Sequence, residues 1–163
     1  MTTSNFTRRS VLRTGAAAGA GILGGTDLFN FAKAWAADQP WKPEAGAKLN
    51  LLRWKRFVEA EDVAFMEIVA AFTKATGVAV TVNNESMDDV QPKASVAANT
   101  GQGPDIVWGP HSLPFLLEDK TLEMTDVNEY LGKKYGGWVP AAVANSKVGN
   151  KWIATVIALT AVT

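Results

Sequence analysis

The stretch Val63-Ala64-Phe65-Met66-Glu67-Ile68-Val69-Ala70-Ala71-Phe72-Thr73-Lys74-Ala75-Thr76-Gly77-Val78-Ala79-Val80-Thr81-Val82 changes its hydrophobic period at Gly77. Before the glycine, Phe65, Ile68, Val69 and Phe72 recur at steps of three and four, which predicts one buried stripe on an amphipathic helix running from Val63 to Thr76. After it, Val78-Ala79-Val80-Thr81-Val82 alternates and is rich in β-branched residues, the pattern of a strand. Gly77 is placed to end the helix. Asp62 is the expected N-cap, and Glu61 beside it is also favoured near a helix N-terminus.

The same alternation of elements extends in both directions. Upstream, residues 37–47 contain Pro40, Pro43 and Gly46 and read as an irregular lead-in. A strand is predicted from Lys48 through Leu49-Asn50-Leu51-Leu52-Arg53-Trp54, followed by the charged turn Lys55 to Asp62. Downstream, a second helix is expected from Asp89 or Val90 to Ala98, with Asp88 as its cap and Pro92 in its first turn. The loop Asn99 to Pro104 breaks it, and Asp105-Ile106-Val107-Trp108 is apolar enough for a buried third strand closed by Gly109-Pro110. The order strand, helix, strand, helix, strand predicts an α/β fold with a parallel-sheet βαβαβ core. Beyond it, Ser112 to Leu117 and Thr125 to Leu131 read as short helices and Lys151 to Val162 as a strand or two.

The N-terminal residues have another purpose. Thr7-Arg8-Arg9-Ser10-Val11-Leu12-Arg13 has the form of a twin-arginine export motif, with Arg8 and Arg9 as its signature pair. Thr14 to Thr26 carries no charge and is mostly Ala and Gly, with Ile22 and Leu23 its large apolar residues. As a helix it would span roughly 20 Å against about 30 Å of hydrocarbon, so it reads as a signal rather than an anchor. Of two small-x-small sites, Ala32-Lys33-Ala34 and Ala34-Trp35-Ala36, cleavage after Ala36 is favoured. The expected organisation is therefore a leader at residues 1–36, engaging the twin-arginine translocase, and an extracytoplasmic body at 37–163.

Composition removes several function classes. The leader holds Arg8, Arg9, Arg13 and Lys33 against Asp27, so in this 163-residue chain of zero net charge the body carries a net −3 and offers no footprint for nucleic acid. Six Trp and seven Phe argue for a packed core. The absence of cysteine excludes disulfides, thiolate zinc sites and cysteine nucleophiles. His111 is the single histidine, so a metal site built on several imidazoles is excluded, and no Gly-x-Ser-x-Gly elbow supplies a nucleophilic serine. Gly101-Gln102-Gly103 lacks the Lys-Ser/Thr of a phosphate loop and the third glycine of a dinucleotide fingerprint, and reads as a turn. Glu61-Asp62 and Asp88-Asp89 sit at helix starts, where carboxylates cap far more often than they catalyse glycoside hydrolysis. Asp105 is expected to bond local backbone and fix its turn. No catalytic residue, metal or cofactor is expected.

In open α/β sheets ligands sit beyond the carboxyl ends of the strands, which selects two loops. The first, Trp54 to Asp62, holds Trp54, Arg56, Glu59 and Glu61; the second, Trp108 to Ser112, holds Trp108 and His111. Indole faces suit the C–H faces of a sugar, and arginine and carboxylates hydrogen-bond its hydroxyls in pairs. Trp54 and Trp108 have core packing as their alternative, Arg56 and Glu59 solvation on a loop, and His111 a bond to local backbone.

Several segments together resemble the family 1 extracellular solute-binding proteins. Leu49 to Trp54 is similar to that family's opening strand, Val69 to Val80 to its Phe-x-x-x-Thr-Gly-hydrophobic joint, and Gly103-Pro104-Asp105-Ile106-Val107-Trp108-Gly109 to its third strand. Tyr135 to Trp138 and Gly149-Asn150-Lys151-Trp152-Ile153-Ala154 resemble a later turn into a new strand. The resemblance implies a periplasmic-binding-protein type II lobe, two such lobes closing on a sugar-like solute, and delivery to an ABC permease in the membrane. Where the family has an aliphatic-Pro-aliphatic step, this chain has Thr155-Val156-Ile157-Ala158-Leu159, and its length against the family implies an incomplete N-terminal lobe. The alternatives are a twin-arginine-exported enzyme, against which the missing cofactor ligands speak, and a truncated product without binding activity.

Overall fold

The computed structural model describes residues 30, 32–34, 37, 38 and 40–157. The motif at Arg8 and Arg9, the uncharged run 14–26, the cleavage site after Ala36 and the end of the expected strand, 158–162, lie outside the described residues. Among those described, no helix is long and apolar enough to cross a membrane.

Strands β1 (Lys48–Trp54), β2 (Ala79–Glu85) and β3 (Ile106–Trp108) form a three-stranded parallel sheet in the order β2-β1-β3. The third strand lies beside the first in the register Leu51↔Ile106, Leu52↔Val107 and Arg53↔Trp108, as the βαβαβ reading requires. Bonds from Ala79 N to Ala47 O and from Lys55 N to Glu85 O, at 3.2 and 2.7 Å, bracket the β1–β2 ladder. The chain divides into two compact units. One holds the described residues up to Leu49 with Arg56–Thr81, the other Asn50–Lys55 with the described residues from Val82 onward.

Helix α1 (Glu59–Thr76) dominates the first unit. It begins four residues before the sequence expectation, and Asp62 is not its cap. The capping position falls on Val58, in extended conformation with no side-chain bond, while Glu59, Glu61 and Asp62 all sit in the first turn. Three carboxylates at the positive end of the helix dipole take over the stabilising role of a cap. The C-terminus is as expected: Gly77 has φ 78° and donates its N–H to Thr73 O. The Thr76 hydroxyl donates to Phe72 O and accepts from Val78 N, tying helix end to strand start. The expected stripe is only partly buried. Phe65, Val69 and Phe72 are half-buried, Ile68 is 51% exposed, and Ala71 is the buried residue of this helix. Val63 and Met66 widen the apolar surface beyond one face, so no single stripe holds all of it.

The second unit contains α2 (Met87–Thr100), α3 (Leu113–Leu116), α4 (Thr125–Tyr135), α5 (Pro140–Ala144) and a small hairpin, β4 (Lys147–Val148) with β5 (Lys151–Trp152). Asp88 does not cap α2. Ser86 does, its hydroxyl accepting from Asp89 N and donating to the Asp89 carboxylate, a reciprocal pair that a short acid three residues on completes. Since the helix starts at Met87, Pro92 falls in its second turn and not its first. Helix α4 runs one turn past Leu131 to the left-handed Gly136. The strand expected from Lys151 to Val162 is two residues long, with 153–157 irregular, and pairs antiparallel with β4 across Gly149-Asn150. The core of this unit comprises Leu52, Val90, Ala94, Leu113, Ala142, Trp152 and Ile153.

Candidate functional site

At the carboxyl end of the sheet, Arg53 and Trp108 face each other across the β1–β3 ladder. Side chains in register on parallel strands leave the same face of the sheet, and the Arg53 guanidinium lies over the Trp108 ring, 5.5 Å from its centroid. Arg53 is 1% exposed, whereas Trp108 is half-buried. A desolvated cation over an indole is worth about 2 kcal/mol or more, which offsets part of the cost of burying the charge. Trp54 follows Arg53 on β1, so by alternation it projects from the other face; it is also half-buried.

The register that makes this pair is set one turn of the pleat earlier. Asp105 N donates to Asn50 O at 2.9 Å, and Asn50 N donates to the Asp105 carboxylate at 2.7 Å. Asp105 thus bonds across the sheet to a strand 55 residues away in sequence, where the sequence reading expected it to hold its own turn. The carboxylate supplies the acceptor that a backbone carbonyl would otherwise give, extending the ladder by a side chain.

After Trp108 the chain passes Gly109 and Pro110 to His111, which is exposed. A Cβ at Gly109 would stand 2.6 Å from a Leu113 methyl and 3.6 Å from Val90, so the turn needs glycine to pack against α2 and α3. Gly101-Gln102-Gly103 is the turn the sequence predicts; Gly103 has φ 140° and its missing Cβ would meet Ala97 at 2.7 Å.

In the first unit, two candidate residues meet. Arg56 Nε lies 2.6 Å from Glu61 Oε1, with side chains 17% and 50% exposed. The pair sits at the entry of α1, beside Glu59, which is exposed. With the Arg56 side chain largely covered and the Glu61 carboxylate half in water, the pair contributes about 1 kcal/mol. Among the described residues no group of three or more His, Cys, Asp or Glu side chains is placed to hold a metal ion.

Sequence reasoning passed over Arg53. Its signal was a charge amid Leu51, Leu52 and Trp54 in a buried strand, and nothing local shows which residue it will face. It also passed over a second aromatic centre. Asn128, fully buried, donates its side-chain amide to Met124 O and Ala154 O, and its backbone carbonyl accepts from Trp138 Nε1. Trp152 packs on Trp138 at 5.6 Å, donates Nε1 to Glu129, and has Lys147 5.4 Å from its ring. Trp152 is too deeply buried to meet a solute, and this cluster ties α4 and the segment at Trp138 to the hairpin. A cavity of about 490 Å³ lined by Phe115, Leu116, Glu118, Glu123 and Lys151, among others, contains none of the five candidate residues.

The family model described as "Bacterial extracellular solute-binding protein" matches residues 58–161. No curated protein matches the chain. The matched span takes in α1, β2, α2, β3 and the C-terminal hairpin, and leaves out the opening strand on which Arg53 and Trp54 stand. The family is one of binding proteins, not enzymes, that act outside the cytoplasm. With the match covering well over half its length, this chain belongs to the bacterial extracellular solute-binding protein family.

Proposed function

We propose that this chain is the solute-recognising receptor component of an ABC importer, that its solute is a sugar or related small polyol, and that it is exported by the twin-arginine route. Residues 1–36 are the leader, with Arg8 and Arg9 read by the translocase and cleavage after Ala36; residues 37–163 belong to the N-terminal lobe. The observation that carries the reading is Trp108, a half-buried indole at the carboxyl end of a parallel sheet, in a member of a solute-binding family. Within the second unit Trp108 supplies an apolar stacking surface and His111 a hydrogen bond to hydroxyls, with Trp54 a second indole on the opposite face of the sheet; within the first unit Arg56 and Glu61 are the candidate hydrogen-bonding groups. The body carries no net positive charge to attract polyanions, which agrees with a neutral solute.

The deciding experiment is a calorimetric titration of the folded protein with a panel of neutral mono- and disaccharides. Saturable binding that weakens about tenfold or more in Trp108→Ala is expected. Binding by no member of the panel, or binding indifferent to Trp108, removes the sugar assignment. For export, a leader fusion to a reporter that must fold before crossing the membrane is expected to fail when Arg8 and Arg9 are both changed to Lys, and N-terminal sequencing of the exported protein is expected to begin at Ala37.

A further inference from the structure

We propose that the cavity between α3 and β5 is a second ligand site, and that it takes a dibasic amino acid: a small solute with one carboxylate, two cationic groups and an aliphatic stem. The cavity holds about 490 Å³, within the range of sites that accept small molecules. Every residue lining it belongs to the second unit, and none is assigned to the sugar, so the proposal stands apart from that reading. Backbone bonds hold its walls in place. Met124 N donates to Trp152 O at 2.7 Å and Trp152 N to the Thr125 hydroxyl at 3.1 Å, which ties the stretch 121–125 to β5, while Ile153 N is anchored on Ser146 O. The turn at 118–120 is closed by Lys120 N and Thr121 N on Leu117 O, and by the Thr121 hydroxyl on Glu118 O.

The charges decide the class of ligand. Glu118, Asp119, Glu123 and Lys151 line the cavity. Asp119 is compensated by Lys120, 3.3 Å away, and the Thr125 hydroxyl takes one oxygen of Glu123 at 2.8 Å. Among the described residues, the Glu118 carboxylate and the Lys151 ammonium enter no ion pair or hydrogen bond, with each other or with a neighbour. Two carboxylates and one ammonium therefore face one cavity with an excess of one negative charge, which a solute of net charge +1 balances. Phe115 and Leu116, both exposed, and Ile153, buried, supply an apolar wall along which an aliphatic stem would lie. A neutral amino acid leaves one glutamate unmatched, a diamine leaves Lys151 unmatched, and a sugar matches none of the three charges.

A chemical-shift titration of the full ¹⁵N-labelled chain tests this with three probes: L-lysine, norleucine and pentane-1,5-diamine. Norleucine keeps the amino-acid head and an aliphatic stem but lacks the terminal ammonium; the diamine keeps both ammonium groups but lacks the carboxylate. Lysine is expected to give saturable shifts at the amides of Thr121, Glu123 and Ile153, with a dissociation constant on the order of a millimolar because the charged groups are solvated. Each comparator is expected to bind about threefold or more weakly. Glu118→Gln is expected to remove lysine's advantage over norleucine, and Lys151→Gln its advantage over the diamine. Both side chains are exposed, so the fold tolerates either change. Absence of saturable shifts at the three amides overturns the proposal, as do equal responses to the three probes in the unmodified protein. Shifts centred on His111 in place of the cavity overturn it as well, and so does a lysine preference that survives in both variants.

Discussion

Arg53 and Arg56 stand three residues apart and live under different physics. Arg53 is sealed in the sheet against the face of Trp108, and Arg56 has left the strand to pair with half-exposed Glu61 at a helix entrance. Identical side chains thus become a fixed part of the sheet and the largely covered half of an ion pair whose other half is in water. What separates them is the neighbouring strand: β3 pairs with β1 as far as Arg53, and its ladder ends there.

The comparison breaks most visibly at the buried member. Arg53→Ala is expected to cost about 3 kcal/mol in a urea-unfolding experiment, because it removes the cation over the ring and leaves a cavity, while Arg53→Met restores more than half by refilling the volume. Next in size is Asp105→Ala, which leaves Asn50 N without its acceptor; a loss of about 1–2 kcal/mol is expected, with Asp105→Asn closer to wild type because an amide oxygen still accepts. Gly77→Ala comes third, at about 1 kcal/mol, from forcing a Cβ into the left-handed conformation at the end of α1. The smallest effect belongs to Arg56→Gln, below about 1 kcal/mol and shrinking further in high salt. A loss at Arg56 rivalling that at Arg53 would erase the distinction.

Much of this was readable in the residues themselves. The change of period at Gly77 marked the end of α1 and the start of β2, and the apolar run before Gly109-Pro110 marked β3, because both are local patterns set by side-chain geometry. The N-termini of α1 and α2 were misplaced for one reason: several acidic residues near each start compete for the capping role, and backbone conformation at Val58 and Ser86 decides among them. Helix α5 and strand β4 are too short to show a period. Strand β4 is defined by its pairing with β5, and the Ile153 N to Ser146 O bond fixes the junction between α5 and that hairpin. Trp108 was named as a candidate from its place at a strand end, yet Arg53, which faces it, was not, because their pairing spans 55 residues. The buried stripe expected on α1 failed at Ile68, where the apolar residues encircle more of the helix than its partners cover.

The cross-strand bonds of Asp105 and Asn50 also act as a gauge. Arg53 lies three residues beyond Asn50, and Trp108 three residues beyond Asp105, so the two strands count off equal intervals from a common pin. Successive side chains point to opposite sides, so one residue added or deleted between Asn50 and Arg53 sends the guanidinium, and one between Asp105 and Trp108 the indole, to the wrong side of the sheet with the pin in place. Past Trp108 that counting stops. A reporter grafted into this protein therefore never belongs between Asp105 and Trp108; extra length at exposed His111 leaves the gauge untouched and interrupts only the proposed contact with the solute.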